Sequence, residues 1–156
     1  MAKMEKNNAL NGEEIQVVAF KLRKEEYGFN ILSVQEIKGL TDITRVPFTP
    51  DFIKGVINLR GSVLPVIDLK KRLGLQDAPY TDSTRIIIVK IDDISVGMIV
   101  DAVTEVLSVA GANIDTAKSV NDNESTKFIN GIGNIDGRLI IMLDIDEIVG
   151  VPGESK

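Results

Sequence analysis

The stretch FIKGVINLRGSVLPVIDLKKRLGL, residues 52–75, decides the fold because it occurs twice. Residues 128–151, FINGIGNIDGRLIIMLDIDEIVGV, align with it over 24 residues, without a gap, at an offset of 76. Seven pairs are identical: Phe52/Phe128, Ile53/Ile129, Gly55/Gly131, Asn58/Asn134, Gly61/Gly137, Asp68/Asp144 and Gly74/Gly150. Unrelated segments share about one or two at average residue usage. Most other pairs keep apolar character, as in Val56/Ile132, Leu59/Ile135 and Leu73/Val149. The stretch is therefore a duplicated structural unit.

Each copy has a physical reading of its own. Phe52 to Leu59 and Val63 to Ile67 are apolar and β-rich, and Leu59-Arg60-Gly61-Ser62 between them predicts a hairpin turn. The second copy places Asp136-Gly137 there, a stronger hairpin signal. Asp68 and Asp144 stand where a helix N-cap belongs, and Gly74 and Gly150 where a short helix ends in a left-handed residue. Asp144 and Glu147 also have capping-box spacing. Gly55 and Gly131 belong to the same set, because turns and caps constrain residue type most tightly. These identities need no catalysis to explain them.

Working outward, Ile15 to Leu22 and Tyr27 to Leu32 read as two strands joined by the polar connection Arg23–Glu26. Ser33 to Gly39 is either a short helical turn or a bent strand, since so brief an apolar run fits both. Ile43 to Val46 is a further apolar run, and Pro47 and Pro50 mark a loop. Residues 76–84 form the expected seam between halves, followed by strands at Arg85–Ile91 and Ser95–Val100. Val96 to Val106 can be laid over Tyr27 to Ile37, pairing Gly28/Gly97, Val34/Val103 and Glu36/Glu105, so the repeat extends upstream. Residues 112–127 look polar and irregular, with room for one helical turn. The expectation is an all-β chain: two pseudo-repeated, barrel-like lobes, each of about five short strands with a scrap of helix. Lobe one should span about 15–80 and lobe two about 81–150, with flexible tails at 1–14 and 151–156. Pro65, within a strand, should lie at an edge or a bulge.

Composition narrows the chemistry. The 156 residues are 44% hydrophobic and 26% charged, with net charge −5. There is no cysteine and no histidine, which removes thiolate zinc sites and every Ser-His or Cys-His nucleophile arrangement. The acidic balance and an aromatic content of 4% argue against a nucleic-acid binder. No segment approaches the roughly 18 apolar residues of a membrane span, and residues 1–14 lack a signal-peptide core. A cytoplasmic protein without direct membrane insertion is expected. Gly131 to Gly137 is one residue too long for a dinucleotide fingerprint, and a hairpin follows it. Asp144 with Asp146 lacks the ligand set of a calcium loop, so neither a cofactor nor a metal is expected. Asn123-Glu124-Ser125 matches a glycosylation sequon, without meaning in a cytoplasmic chain.

Glu36 and Arg60 each read either as a solvated charge or as a group framing a binding surface. Ile31, Val34, Val100 and Val103 read either as core or as the lining of a groove between lobes. A ligand-binding or catalytic barrel working through a carboxylate of perturbed pKa is the competing class.

These residues also carry a resemblance. EYGFNILSVQEIKG at 26–39, TRVPFTPDFIKGVINLRGSVLPVIDLKKRLG at 44–74 and VGMIVDAVTEVLSV at 96–109 resemble the CheW family of bacterial chemotaxis coupling proteins. The likeness runs from about residue 14 to residue 150, and it is shared by the regulatory domain of the kinase CheA and the coupling half of CheV. At this length there is no room for the kinase's ATP-binding domain or a receiver domain. The resemblance implies two five-stranded SH3-like barrels, no catalysis, and a scaffold that links the cytoplasmic tip of chemoreceptors to CheA. Carried over by position, it implies a receptor-facing groove of Ile31, Val34, Glu36, Gly97, Val100 and Val103, with Arg60 beside it. The kinase-facing edge would lie around Leu40, Asp42 and Ile43. A free chain that is monomeric, and recruited to membrane-associated receptor arrays, completes the expectation.

Overall fold

The computed structural model describes residues 14–116 and 127–150; the expected tails, apart from Glu14, and the sequon at Asn123 lie outside them. The chain runs β1 (Glu14–Leu22), β2 (Glu25–Asn30), β3 (Val34–Gly39), β4 (Ile53–Leu59), β5 (Ser62–Asp68), α1 (Leu69–Arg72), β6 (Arg85–Ile91) and β7 (Ile94–Val100). It continues through β8 (Ala102–Ala110), β9 (Ile114–Thr116), β10 (Ile129–Ile135), β11 (Arg138–Leu143) and α2 (Ile145–Val149). Of the segment Ser33 to Gly39, the bent-strand reading holds, with Val34–Gly39 a bulged strand; the 3-10 turn falls at Ile31–Ser33, where the preceding strand was expected to run on to Leu32. In the region read as irregular from residue 112, Gly111–Asn113 form a second 3-10 turn, consistent with the one helical turn allowed there. The correction is the strand Ile114–Thr116, which pairs with β10.

The strands form two mixed sheets, ordered β8-β1-β2-β11-β10-β9 and β3-β6-β7-β5-β4. The first five strands of one are the repeat equivalents of the five strands of the other, in the same order. The fold is all-β, with two SH3-like lobes. However, the division between lobes does not fall near residue 80. Hairpin β1–β2 sits in the sheet of β8 to β11, while β6–β7 sits in the sheet of β3 to β5. The two halves have exchanged their first hairpins. The reason is visible in the ladders: β1 pairs with β8, and β2 runs parallel to β11, whereas β3 pairs with β6.

This exchange buries both faces of the hairpin strands, which explains their unbroken apolar runs. In β6, Ile86 and Ile88 face the interior of one lobe, while Ile87 and Val89 face a core shared between lobes. In β1, Val17 and Ala19 face the other lobe's interior, and Val18, Phe20 and Leu22 face the shared core. Period-two alternation thus sorts one strand between two cores.

The repeated residues act where turns and caps demand them. Arg60-Gly61 and Asp136-Gly137 all have positive φ, as a type I′ hairpin requires, and the Asn58 and Asn134 side chains accept the N–H of Gly61 and Gly137. The carboxylates of Asp68 and Asp144 accept the N–H of Lys71 and Glu147. Gly55 has a different reason: a Cβ there would stand 2.1 Å from the Thr44 carbonyl oxygen. Pro65 lies inside β5 rather than on a free edge. It faces Val56, whose N–H and C=O both bond Thr44 on the far side, so no donor is needed toward β4, and the ladder to β7 begins only at Val66.

Candidate functional site

The seam between the lobes is where the sequence-nominated apolar residues meet. Ile31, Val34 and Val103 are half-buried against the shared core. Val100 is a correction: it is fully buried within that core and has no surface to offer a partner. Gly97 is buried as well, its missing side chain leaving room for Ile86, Val66 and Ile88. Val100 thus faces the shared core, and Gly97 faces the lobe interior of Ile86, Val66 and Ile88. Leu32, on the turn between Ile31 and Ser33, is 89% exposed and was not singled out from sequence. The Asn30 side chain accepts its N–H and fixes the turn.

Glu36 and Arg60, 24 residues apart, form an ion pair. Arg60 Nη2 lies 2.7 Å from Glu36 Oε1, and Nη1 lies 3.4 Å from Oε2. A β-bulge aims Glu36: the β3–β6 register shifts between Val34 and Glu36, leaving Gln35 as the extra residue, bonded by the Ser95 hydroxyl. The I′ turn aims Arg60. The guanidinium holds the Glu36 carboxyl below its usual range, outweighing the opposing effect of desolvation. Both side chains retain exposed surface, so the pair orients rather than stabilises.

The other lobe carries a counterpart. Thr104 is the extra residue of a bulge between β1 and β8 and is the repeat equivalent of Gln35, so Glu105 is aimed as Glu36 is. Arg138 bonds Glu105 at 2.8 Å and grips both oxygens of Glu26 at 2.7 and 2.8 Å. The Arg138 hydrogen bonds hold Glu26 below the usual carboxylate range. This cluster escaped the sequence reading because Arg138 stands two residues past the position equivalent to Arg60. The Glu36/Glu105 correspondence was its one visible trace.

Of the edge nominated for the kinase, Leu40 and Asp42 are exposed, whereas Ile43 packs against the interior of its lobe. Asp68 is a buried carboxylate, 1% exposed. Its two oxygens are committed to the Lys71 N–H and the Tyr80 hydroxyl, a structural use. Among the described residues no group of three acidic residues could hold a metal, and no helix is long and apolar enough to cross a membrane.

Comparison with known proteins agrees with this architecture. The family model of the CheW-like domain matches residues 16–152. The chain is 38% identical to the chemotaxis protein CheW of Klebsiella aerogenes, over 96% of this chain and 91% of that one. It is 37% identical to the chemotaxis protein CheW of Bacillus subtilis, over 86% of each. The crystal structure of the scaffolding protein TtCheW from Thermoanaerobacter tengcongensis superposes with a TM-score of 0.83 at 39% identity, covering 91% of this chain and 97% of that one. The repeat, the exchanged hairpins and these matches lead to one conclusion: the chain belongs to the CheW-like family of chemotaxis proteins.

Proposed function

We propose that this chain is a non-catalytic adaptor that couples chemoreceptors to the histidine kinase CheA. The seam lined by Ile31, Val34 and Val103, extended by Leu32, grips the helical hairpin of a receptor's cytoplasmic tip. Glu36 and Arg60 set the orientation of that hairpin. Apolar side chains supply affinity, and a charged pair at the margin fixes register. The observation that carries this reading is the Glu36–Arg60 pair, which two unrelated backbone devices, a bulge and a I′ turn, aim at one point. A charge pair with no stabilising task, held so deliberately, suits recognition.

The regulatory domain of CheA engages a separate face, around Leu40 and Asp42, with Ile43 supporting it from the lobe interior. The free adaptor is a monomer that acts at receptor arrays on the cytoplasmic side of the membrane. Each partner then biases the other through contacts that depend on receptor state.

Calorimetric titration with a receptor-tip hairpin and, separately, with the CheA regulatory domain tests this reading. Both should release heat, and Arg60→Glu should remove the receptor heat alone. Binding to neither folded partner would sink the proposal, and loss of both in Arg60→Glu would refute the separation of faces.

A further inference from the structure

Between the bridge residue Thr44 and β4, the chain makes a turn that folding alone does not explain. Phe48 is fully exposed and has φ +65°, a conformation costly for a bulky side chain. Pro47 and Pro50 limit the backbone on either side, and the Thr49 hydroxyl donates to the Val46 carbonyl at 3.0 Å. An aromatic ring is thereby held out in water on a rigid corner.

Behind the turn lies a pocket of about 280 Å³, with Arg45, Lys54 and Lys71 in its wall and Asp51 as its one carboxylate. Three cations converging on one side of a chain of net charge −5 make a local field opposite to the average surface. Lys71 reaches Asp77 at 3.4 Å, but among the described residues no carboxylate pairs with Arg45 or Lys54. Lys54 instead rests its ammonium 5.2 Å from the ring centroid of Tyr80.

We propose that the turn at Arg45–Asp51 and its basic pocket form a docking site for an acidic segment of a partner protein, with an apolar side chain of that segment seated against Phe48. The unpaired cations complement carboxylates, and a pre-ordered aromatic loses little freedom on binding. The site shares no residue with the groove or with Leu40–Ile43, so it stands apart from the proposed coupling role.

The test uses the full isotope-labelled chain and a short synthetic peptide of glutamates around a Leu-Phe pair, followed by amide chemical shifts. The expected result is perturbation centred on residues 45–54 and 71, with affinity falling as salt rises. Phe48→Ala, and separately Arg45→Gln with Lys54→Gln, should each weaken binding about tenfold. Phe48→Gly is the decisive variant: it relieves the positive φ, so it should raise Tm while still losing the peptide. The proposal is overturned by absence of shifts at about millimolar peptide, or by shifts elsewhere on the chain. It is equally overturned by binding of undiminished affinity in Phe48→Ala, or by inorganic phosphate reproducing the same shifts. Receptor-hairpin heat should be unchanged in Phe48→Ala, which separates failure here from failure of the coupling reading.

Discussion

Arg72 donates from Nε to the carbonyl of Ile148 at 2.7 Å, and these two residues occupy the same position in the two copies of the repeat. The duplicated unit meets itself here, yet the copies have diverged so that one supplies a cation and the other a carbonyl. The guanidinium also donates to Glu147 O at 3.2 Å, and it lies 4.3 Å from the ring centroid of Phe52 and 4.9 Å from that of Phe128. Those phenylalanines are themselves an identical pair of the repeat. The final carbonyls of α2, which lack intrahelical partners, are met by a cation at the negative end of the helix.

Arg72→Leu should therefore lower stability by about 3 kcal/mol, from two lost charged hydrogen bonds and two cation–π contacts. Urea unfolding would show a lower midpoint with an unchanged slope. Arg72→Lys should fall between, because an ammonium cannot reproduce the planar fork. Full stability in the leucine variant would show that the contact is incidental.

Gly55→Ala should cost at least about 3 kcal/mol, since the new methyl would overlap the Thr44 carbonyl and the residue would keep an unfavourable φ. Gly39→Ala is the control: nothing lies within 4 Å of a Cβ there, and no loss is expected. Thermal unfolding of the two variants, side by side, decides whether the 43–44 segment is packed this closely.

The acid limb of stability should depend on Arg138. Glu26 has a folded pKa below its ordinary value of 4.5, so its contribution is complete above that value and is lost as pH falls through the lowered one. In Arg138→Met the carboxyl loses both guanidinium hydrogen bonds and keeps only the one donated by the Thr104 hydroxyl. Its pKa should rise, and acid unfolding followed by circular dichroism should begin at higher pH than in the parent. An unchanged acid limb would show that Glu26 is solvated in both proteins.

Neither fragment 1–80 nor fragment 81–156 should fold alone, because each sheet takes strands from both. Mixed together, they should recover the β-sheet spectrum. A folded, monomeric 1–80 fragment would contradict the exchange of hairpins.

Much of this was legible in the sequence, for local reasons. Hairpin turns, N-caps and the αL residue Gly150 each restrict residue type within a few positions, so the seven identities located them. Ile31, Val34 and Val103 read equally as core or as groove lining, and the structure packs them half-buried against the shared core. What was not legible is partnership. The run RIIIVKI specifies a strand buried on both faces, but not which β-hairpin lies beside it. The bulges at Gln35 and Thr104 leave no compositional mark, so the aim of Glu36 and Glu105 was hidden. Val100 was misplaced because apolar residues of a seam and of a core look alike until the register is known.

The exchange of hairpins also sets a timetable for synthesis. One sheet, β3 to β7, is complete once Val100 has been made, whereas the other must wait for β11, ending at Leu143. Its first hairpin, made earliest, leaves the ribosome carrying Val17, Val18, Ala19 and Phe20 with no lobe yet to enter. Chains grow N-terminus first and unpaired apolar strands aggregate, so this hairpin is the segment most exposed to premature association. The oldest part of each nascent molecule is the last to find its place.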